Sequence, residues 1–206
     1  MNIKQVCQYL KSAELPGISA HKEMSFTNRN FEKPSNAIPS AVCILLYENN
    51  QQIFFPLIKR TANSLHHKGQ IALPGGRLDP DEDIEHCAVR ECEEEIGISR
   101  NTIIPIRRLT ELYIPVSNHI VYPIICYTTQ TPTFHFNPDE VEKILFCSII
   151  ELIRFKKQLT KVRLVDNLNI DAPAFIYQNE IIWGATALIL NEFKQILIQN
   201  SFFDNF

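Results

Sequence analysis

The stretch GGRLDPDEDIEHCAVRECEEEIGI, residues 75–98, constrains this chain more than any other. A glycine pair leads into an acidic loop, and the run from Asp83 to Ile96 then has helical spacing, closed by Gly97, a favoured residue just past a helix end. With Glu91 placed at zero on a helical wheel, Ile84, Cys87 and Ala88 fall at about +20°, −40° and +60°, while Glu94 and Glu95 fall at about −60° and +40°. One face of the helix is therefore apolar in its first half and acidic in its second. If that face pointed to water, Ile84 and Ala88 would be exposed with it. If it is partly buried, three converging carboxylates repel one another and take up protons unless a cation holds them. Oxygen ligands of this kind suit a hard divalent ion such as Mg²⁺ or Mn²⁺. Glu93 lies about 160° from Glu91 and reads as a solvated residue.

Two other metal readings fail on spacing. Asp79, Asp81 and Asp83 alternate as in a calcium-binding EF-hand, but Ile84 stands where that loop needs glycine and Arg90 where it needs glutamate. Cys87 and Cys92 are five apart and point about 140° away from each other on a helix, which is no basis for a zinc site.

The rest of the chain supplies the setting. At 206 residues and 45% hydrophobic it is long enough for one domain with a substantial core. Its formal net charge of −3 provides no broad basic field, so neither a nucleic acid nor an anionic membrane is expected as a partner. No run approaches the ~20 apolar residues of a membrane span. The N-terminus has Ile3, Val6 and Leu10 at helical spacing without a continuous apolar core, so it does not read as a signal peptide. The six cysteines are scattered, without a CxxC pair, and read as reduced core thiols. A cytoplasmic chain is the expectation.

The spacing predicts a short helix to about residue 13, a polar connector (FTNRNFEKPSNAIPS) and a globular part starting near Ala37. This divides the chain into an N-terminal helix and connector, 1–36, and a main domain, 37–206. Strands are expected at 41–47 and 53–59 across the turn ENNQQ, with Pro56 suggesting an edge or a bulge in the second. Further apolar runs at 103–116, 120–127 and 143–149 suggest more strands. Leu190, Phe193 and Leu197 mark a closing helix. The mixture points to an α+β or α/β/α layered domain.

At residues 76–98 the chain resembles the Nudix hydrolases, whose motif is G-x5-E-x7-R-E-U-x-E-E-x-G-U, with U a bulky apolar residue. Gly76, Glu82, Arg90, Glu91, Glu94, Glu95 and Gly97 match every fixed position. Ile98 fills one U position, and Cys92, a smaller hydrophobe, the other. The resemblance implies an α/β/α sandwich on a central mixed sheet and hydrolysis of a nucleoside diphosphate linked to another moiety. It also implies that Glu91, Glu94 and Glu95 ligate the metal with the main-chain oxygen of Gly76, and that Arg90 and Glu82 orient the carboxylates. The base that takes the proton from water varies within the family. Glu91 is one candidate, and Glu140 in NPDEVEK is another.

A narrower resemblance links KRTANSLHHKGQIALPGG, residues 59–76, to the segment preceding this motif in the coenzyme A diphosphatases of the family. Arg60, Gly69, Gln70, Pro74, Gly75 and Gly76 match, and Thr61 and Ile71 are close substitutes. PVSNHIVYPII (115–125) and IIWGATALILNEF (181–193) fit the same group. Leu65 stands where the pattern has a second arginine, Ile58 where it has threonine and Leu73 where it has phenylalanine. Arginine clamps phosphate bidentately and leucine does not. Arg60, Lys68, Gln70 and Arg77 are the expected substrate contacts, with His66 and His67 read as an exposed loop pair. The resemblance implies a small-molecule nucleotide substrate and leaves room for a homodimer. The competing readings are a Nudix pyrophosphatase for ADP-ribose or a dinucleoside polyphosphate, and a catalytically silent nucleotide-binding module. The complete carboxylate set argues against the silent module.

Overall fold

The computed structural model describes residues 2–26, 31–62, 68–163 and 169–199. In chain order the elements are helices α1 (Ile3–Ser12) and α2 (Ile18–Glu23), then strands β1 (Ile38–Asn49), β2 (Gln52–Arg60), β3 (Ile71–Ala72) and β4 (Gly75–Arg77), followed by helix α3 (Ile84–Ile96). Next come β5 (Ile104–Arg108), β6 (Leu112–Ile114), β7 (His119–Tyr127), β8 (Val141–Ser148) and helix α4 (Ile149–Arg154). The last elements are β9 (Gln158–Arg163), β10 (Asn169–Tyr177), β11 (Glu180–Trp183) and helix α5 (Gly184–Ile198).

The long β1 organises the central sheet because it is buried on both faces. Its residues alternate between two cores, as a strand's period of two requires. Ile44 and Leu46 enter an apolar cluster with α1, α4 and α5, whereas Ala41, Cys43 and Leu45 pack against α3 through Cys87, Ala88, Cys92 and Ile96. Helices therefore cover both faces of the sheet. The sheet is mixed: β1 runs parallel to β7 over Ile38↔His119 to Leu46↔Tyr127, and its other pairings are antiparallel. The fold is thus α+β around a mixed sheet.

The β1–β2 hairpin turns at Asn50 and Gln51, both at positive φ, the geometry that matches strand twist in a two-residue loop. Beyond Tyr47↔Phe54 the two strands part, and residues 71–77 enter between them, β3 pairing with β2 and β4 with β1. Pro56 sits in that gap, between the ladder ending at Phe54 and the one beginning at Ile58. Even-numbered β2 residues aim their N–H groups toward β1 and β3, so a proline at 56 removes no ladder bond. This is how a proline is accommodated in a strand paired on both sides, with β8 along its other edge.

Several expectations are refined. The run 103–116 forms two strands, β5 and β6, both antiparallel to β7, broken around Thr110. The run 143–149 ends as a strand at Ser148, which caps α4 with Glu151 in a reciprocal capping box. The Ser-x-x-Glu pattern signals that helix in the sequence. Helix α2 and the three-stranded sheet β9–β10–β11 carry weaker patterns, which the spacing of apolar residues does not disclose. All six cysteines are buried and free. Among the described residues no helix is long and apolar enough to cross a membrane.

The N-terminal helices share the core of the sheet, with Ile3, Val6, Cys7 and Leu10 inside it. Polar anchoring comes from Glu192 in α5, which is fully buried: His21 Nε2 lies 3.0 Å from its Oε2, and Thr110 Oγ1 donates to its Oε1 at 2.6 Å. Asn191 adds a bond to the Ala20 carbonyl at 2.8 Å. Glu192→Ala leaves several buried donors without an acceptor and is expected to cost about 3 kcal/mol, against less than about 1 kcal/mol for Glu111→Ala at an exposed pair with Lys33. Urea unfolding of both variants checks this, and equal losses would contradict the anchoring role.

Candidate metal centre on the acidic helix

Helix α3 begins at Asp83, whose Oδ1 accepts from Glu85 N and His86 N, each at 2.9 Å. It ends at Gly97, at φ 73°, where a Cβ would lie 2.4 Å from the His135 carbonyl oxygen. Between these ends the helix packs against β1 through Cys87, Ala88, Cys92 and Ile96. The apolar stripe of its first half packs into the sheet, and the stripe's continuation brings the carboxylates to the rim of the core. Their burial is graded, with Glu95 1% exposed, the Glu91 side chain 12% and the Glu94 side chain 52%.

The glycine turn meets this face directly. Strand β4 places Gly76 opposite Ala41 and Gly75 opposite Val42. A Cβ on Gly76 would lie 2.3 Å from Glu91 Oε1, and one on Gly75 would lie 2.3 Å from the Ala41 carbonyl oxygen. Only main chain without side chains approaches the helix so closely. That approach lets Gly75 N donate to Glu95 Oε2 at 2.9 Å.

Two arginines compensate the crowded carboxylates. Arg90 binds Glu82 through two parallel bonds, Nε to Oε1 at 2.8 Å and Nη2 to Oε2 at 2.9 Å, and its Nη1 bridges Glu91 Oε1 and Glu94 Oε2, both at 2.8 Å. Its Nη2 also donates to the Arg77 carbonyl at 3.1 Å. Hydrogen bonding from Arg90 lowers the Glu82 carboxyl from 4.5 to about 2, so Glu82 is firmly ionised. Arg60 Nη1 lies 3.1 Å from Glu95 Oε1. Burial nevertheless outweighs Arg60 and Gly75 N and pushes the Glu95 carboxyl up from 4.5 to about 8. Burial likewise raises Glu91.

The structure thus brings Gly76, Glu82, Arg90, Glu91, Glu94 and Glu95 together. Glu140 joins them from the segment before β8: exposed itself, it adds negative charge felt by both Glu91 and Glu95. Arg60, expected as a substrate contact, lies with its Nη1 on Glu95. Arg77 is exposed, and its carbonyl serves Arg90. Gln70 is half-buried, with its carbonyl accepting from Arg60 N at 3.0 Å, and Lys68 is exposed on the adjoining turn. Leu65, His66 and His67 lie outside the described residues. Glu93 differs from expectation: its carboxylate is not merely solvated but accepts from Arg100 N at 3.0 Å and from Arg100 Nε.

Among the described residues no group of three His, Cys, Asp or Glu side chains is arranged to enclose an ion as it stands. Arginine nitrogens take the positions between carboxylates instead. The donor chemistry still fits a hard divalent cation: three carboxylates and the Gly76 carbonyl are all oxygen donors, beside a main chain with no Cβ in the way. Arg60 does not fully offset the cost of ionising the buried Glu95. The long-range pairing of Arg60 with Glu95 escaped sequence reasoning, since the two are 35 residues apart with no local pattern joining them.

The NUDIX domain family model matches residues 37–168. An uncharacterized Nudix hydrolase NudL from Yersinia enterocolitica serotype O:8 / biotype 1B is 30% identical over 140 residues, covering 68% of this chain and 71% of the relative. Its counterpart from Photorhabdus laumondii subsp. laumondii is 31% identical over 144 residues, 68% and 74% respectively. Among solved structures, the fold is similar to a MutT protein from Methanosarcina mazei Go1, with TM-score 0.54, 19% identity and coverage of 83% of this chain and 100% of that one. It is also similar to the Nudix hydrolase RenU from M. smegmatis, with TM-score 0.55, 16% identity and coverage of 86% and 94%.

The raised Glu95 carboxyl has a consequence for the metal-free protein. Because the folded state keeps a proton that the unfolded chain releases above about pH 4.5, stability should fall as pH rises from there through about 8. Urea melts in chelator at pH 5 and pH 8 should show this loss, and Glu95→Gln should flatten it. An unchanged pH slope in Glu95→Gln would refute the assignment.

Proposed function

The chain belongs to the Nudix family, and we propose that this Nudix pyrophosphatase cleaves the diphosphate of coenzyme A or an acyl derivative, releasing 3',5'-ADP and (acyl-)4'-phosphopantetheine, with Mg²⁺ or Mn²⁺. The observation that carries the reaction class is the set of three carboxylates on one face of α3, in contact with a side-chain-free turn. The substrate assignment rests on the three segments that resemble the coenzyme A group. Two of them are tied together at the site's foundation: Thr186 Oγ1, in the segment 181–193, donates to the carbonyl of Ile71, just before the glycine turn, at 3.1 Å. The six free thiols support action in a reducing cytoplasm.

In this reading Glu91, Glu94, Glu95 and the Gly76 carbonyl hold the divalent ion. The ion supplies charge neutralisation for the diphosphate, activation of the attacking water and stabilisation of the leaving phosphate. Arg90 keeps Glu91 and Glu94 at fixed distance from the glycine turn, and Glu82 fixes Arg90 in turn. Of the two candidate bases, Glu140 is favoured. Glu91 is held by Arg90 and packed against Gly76, while the Glu140 carboxylate is exposed and close enough for its charge to reach Glu91 and Glu95. The proton from water passes to a Glu140 carboxylate oxygen as the water oxygen attacks phosphorus and the far phosphate leaves.

A panel of coenzyme A, acetyl-coenzyme A, ADP-ribose and diadenosine tetraphosphate, with Mg²⁺, Mn²⁺ or chelator and products separated by mass, tests both parts. Chelation should abolish turnover, and kcat/KM should be highest for a coenzyme A species. A preference for ADP-ribose would overturn the substrate assignment alone, while turnover in excess chelator would overturn the metal-dependent reading. Glu94→Gln and Glu95→Gln should each lower turnover more than about a hundredfold, as expected for direct ligands rather than their supports. Glu93→Gln should stay within about twofold, and comparable losses at Glu93 and Glu94 would contradict the division of faces.

A further inference from the structure

The segment bearing Glu140 is held by main-chain bonds and by two side chains, Thr61 and Asn137, that the carboxylate chemistry does not itself require. Asn137 N donates to the main-chain carbonyl of Glu95 at 3.1 Å, so the segment hangs from the last turn of α3. Carbonyls at a helix end have no partner within the helix, which leaves this one available. The Asn137 carbonyl then accepts from Glu140 N at 3.2 Å and Val141 N at 2.8 Å, and its side-chain Oδ1 accepts from Asp139 N at 3.1 Å. From the other side, Thr61 N donates to the Glu140 carbonyl and Thr61 Oγ1 to the Asp139 carbonyl, both at 3.0 Å.

A register break sets this arrangement up. Lys59 faces Lys143, but the next residue, Arg60, faces Val141, so Glu142 is the extra residue of a bulge in β8. Lys59 Nζ binds that residue's Oε1 at 3.1 Å. Bulges re-aim side chains near sites. Without this one Thr61 would meet Val141; with it Thr61 meets Glu140. Consecutive residues of one strand end therefore serve the two halves of the site: Arg60 holds the buried carboxylate, and Thr61 holds the segment carrying the exposed one. The Thr61 hydroxyl stands where the coenzyme A group pattern has serine, so a hydroxyl is common to both.

We propose that Thr61 and Asn137 are positioning residues that set Glu140 over the α3 carboxylates for proton transfer from water. This rests on the pyrophosphatase reading and deepens it. The role assigned to the two residues is exerted through the main chain that carries Glu140. They fix the main chain on both sides of Glu140, so that its short reach ends at the attacking water. The competing explanation is that the same bonds only close a turn and satisfy a helix end, in which case losing one would affect stability and not the chemical step.

The experiment is a double-mutant cycle in kcat on the substrate that the wild type turns over fastest, with melting temperatures measured in parallel. Thr61→Val removes the hydroxyl donor and should lower kcat about tenfold with KM within about twofold, a misplacement effect, while Thr61→Ser should restore it. Glu140→Gln should lower kcat about a hundredfold or more. In the Glu140→Gln background, Thr61→Val should add nothing. Asn137→Ala should repeat the pattern and Asn137→Asp, which keeps the acceptor, should rescue it, so a melting-temperature loss at Thr61→Val does not stand alone. An equal loss for Thr61→Val in both backgrounds, or no loss in either, would overturn the proposal, as would full activity in Glu140→Gln. A wild type that hydrolyses no diphosphate would instead overturn the pyrophosphatase reading.

Discussion

Glu95 cannot be buried cheaply, and the rest of the site follows from that fact. A carboxylate at 1% exposure loses most of its hydration, and the nearby charges of Glu91 and Glu140 add repulsion. The protein answers with fixed donors: the Gly75 amide and Arg60 on Glu95, and Arg90 across Glu91 and Glu94. These donors are enough to organise the carboxylates but not to return Glu95 to its ordinary ionisation. The remaining imbalance is what a divalent cation bound there would remove.

The fold exists around this site in a concrete sense. The parting of β1 and β2 after their hairpin opens room for residues 71–77, and that insertion brings two glycines beneath α3. Pro56 fits the opening without losing a ladder bond. The parallel pairing of β1 with β7 then completes a two-sided core, with α3 on one face and α1, α4 and α5 on the other. The register shift at Glu142 between β2 and β8 brings Arg60 to Glu95 and Thr61 to the segment before Val141.

What the chain discloses before folding depends on the range of the interaction. The stripe on α3 was legible because helical period, cap and stop all lie within residues 83–97, and the strand at 41–47 was legible from its unbroken apolar run, though not its burial on both faces. Glu93 misled for the same local reason: its face is polar, but its partner Arg100 lies beyond the helix stop. The strand expected over 103–116 breaks at Thr110, a turn required by a bond to Glu192 far along the chain. Strand β10 contains Asp171 and Pro173, which obscure alternation, and α2 is six residues long without a side-chain cap. The Arg60 bond to Glu95 and the Thr61 bond to Asp139 depend on strand register, which no short stretch encodes.

The central claim is that the face of α3 beside the glycine turn is a divalent-ion site now spanned by arginine. Crystals soaked in Mn²⁺ and measured at an anomalous wavelength test it most directly. The account predicts a single strong peak at about 2.2 Å from carboxylate oxygens of Glu91 and Glu95, within reach of Glu94 and the Gly76 carbonyl, with Arg90 Nη1 withdrawn from its bridge. Anomalous density elsewhere, or none at this face with Arg90 still joining Glu91 to Glu94, would contradict it.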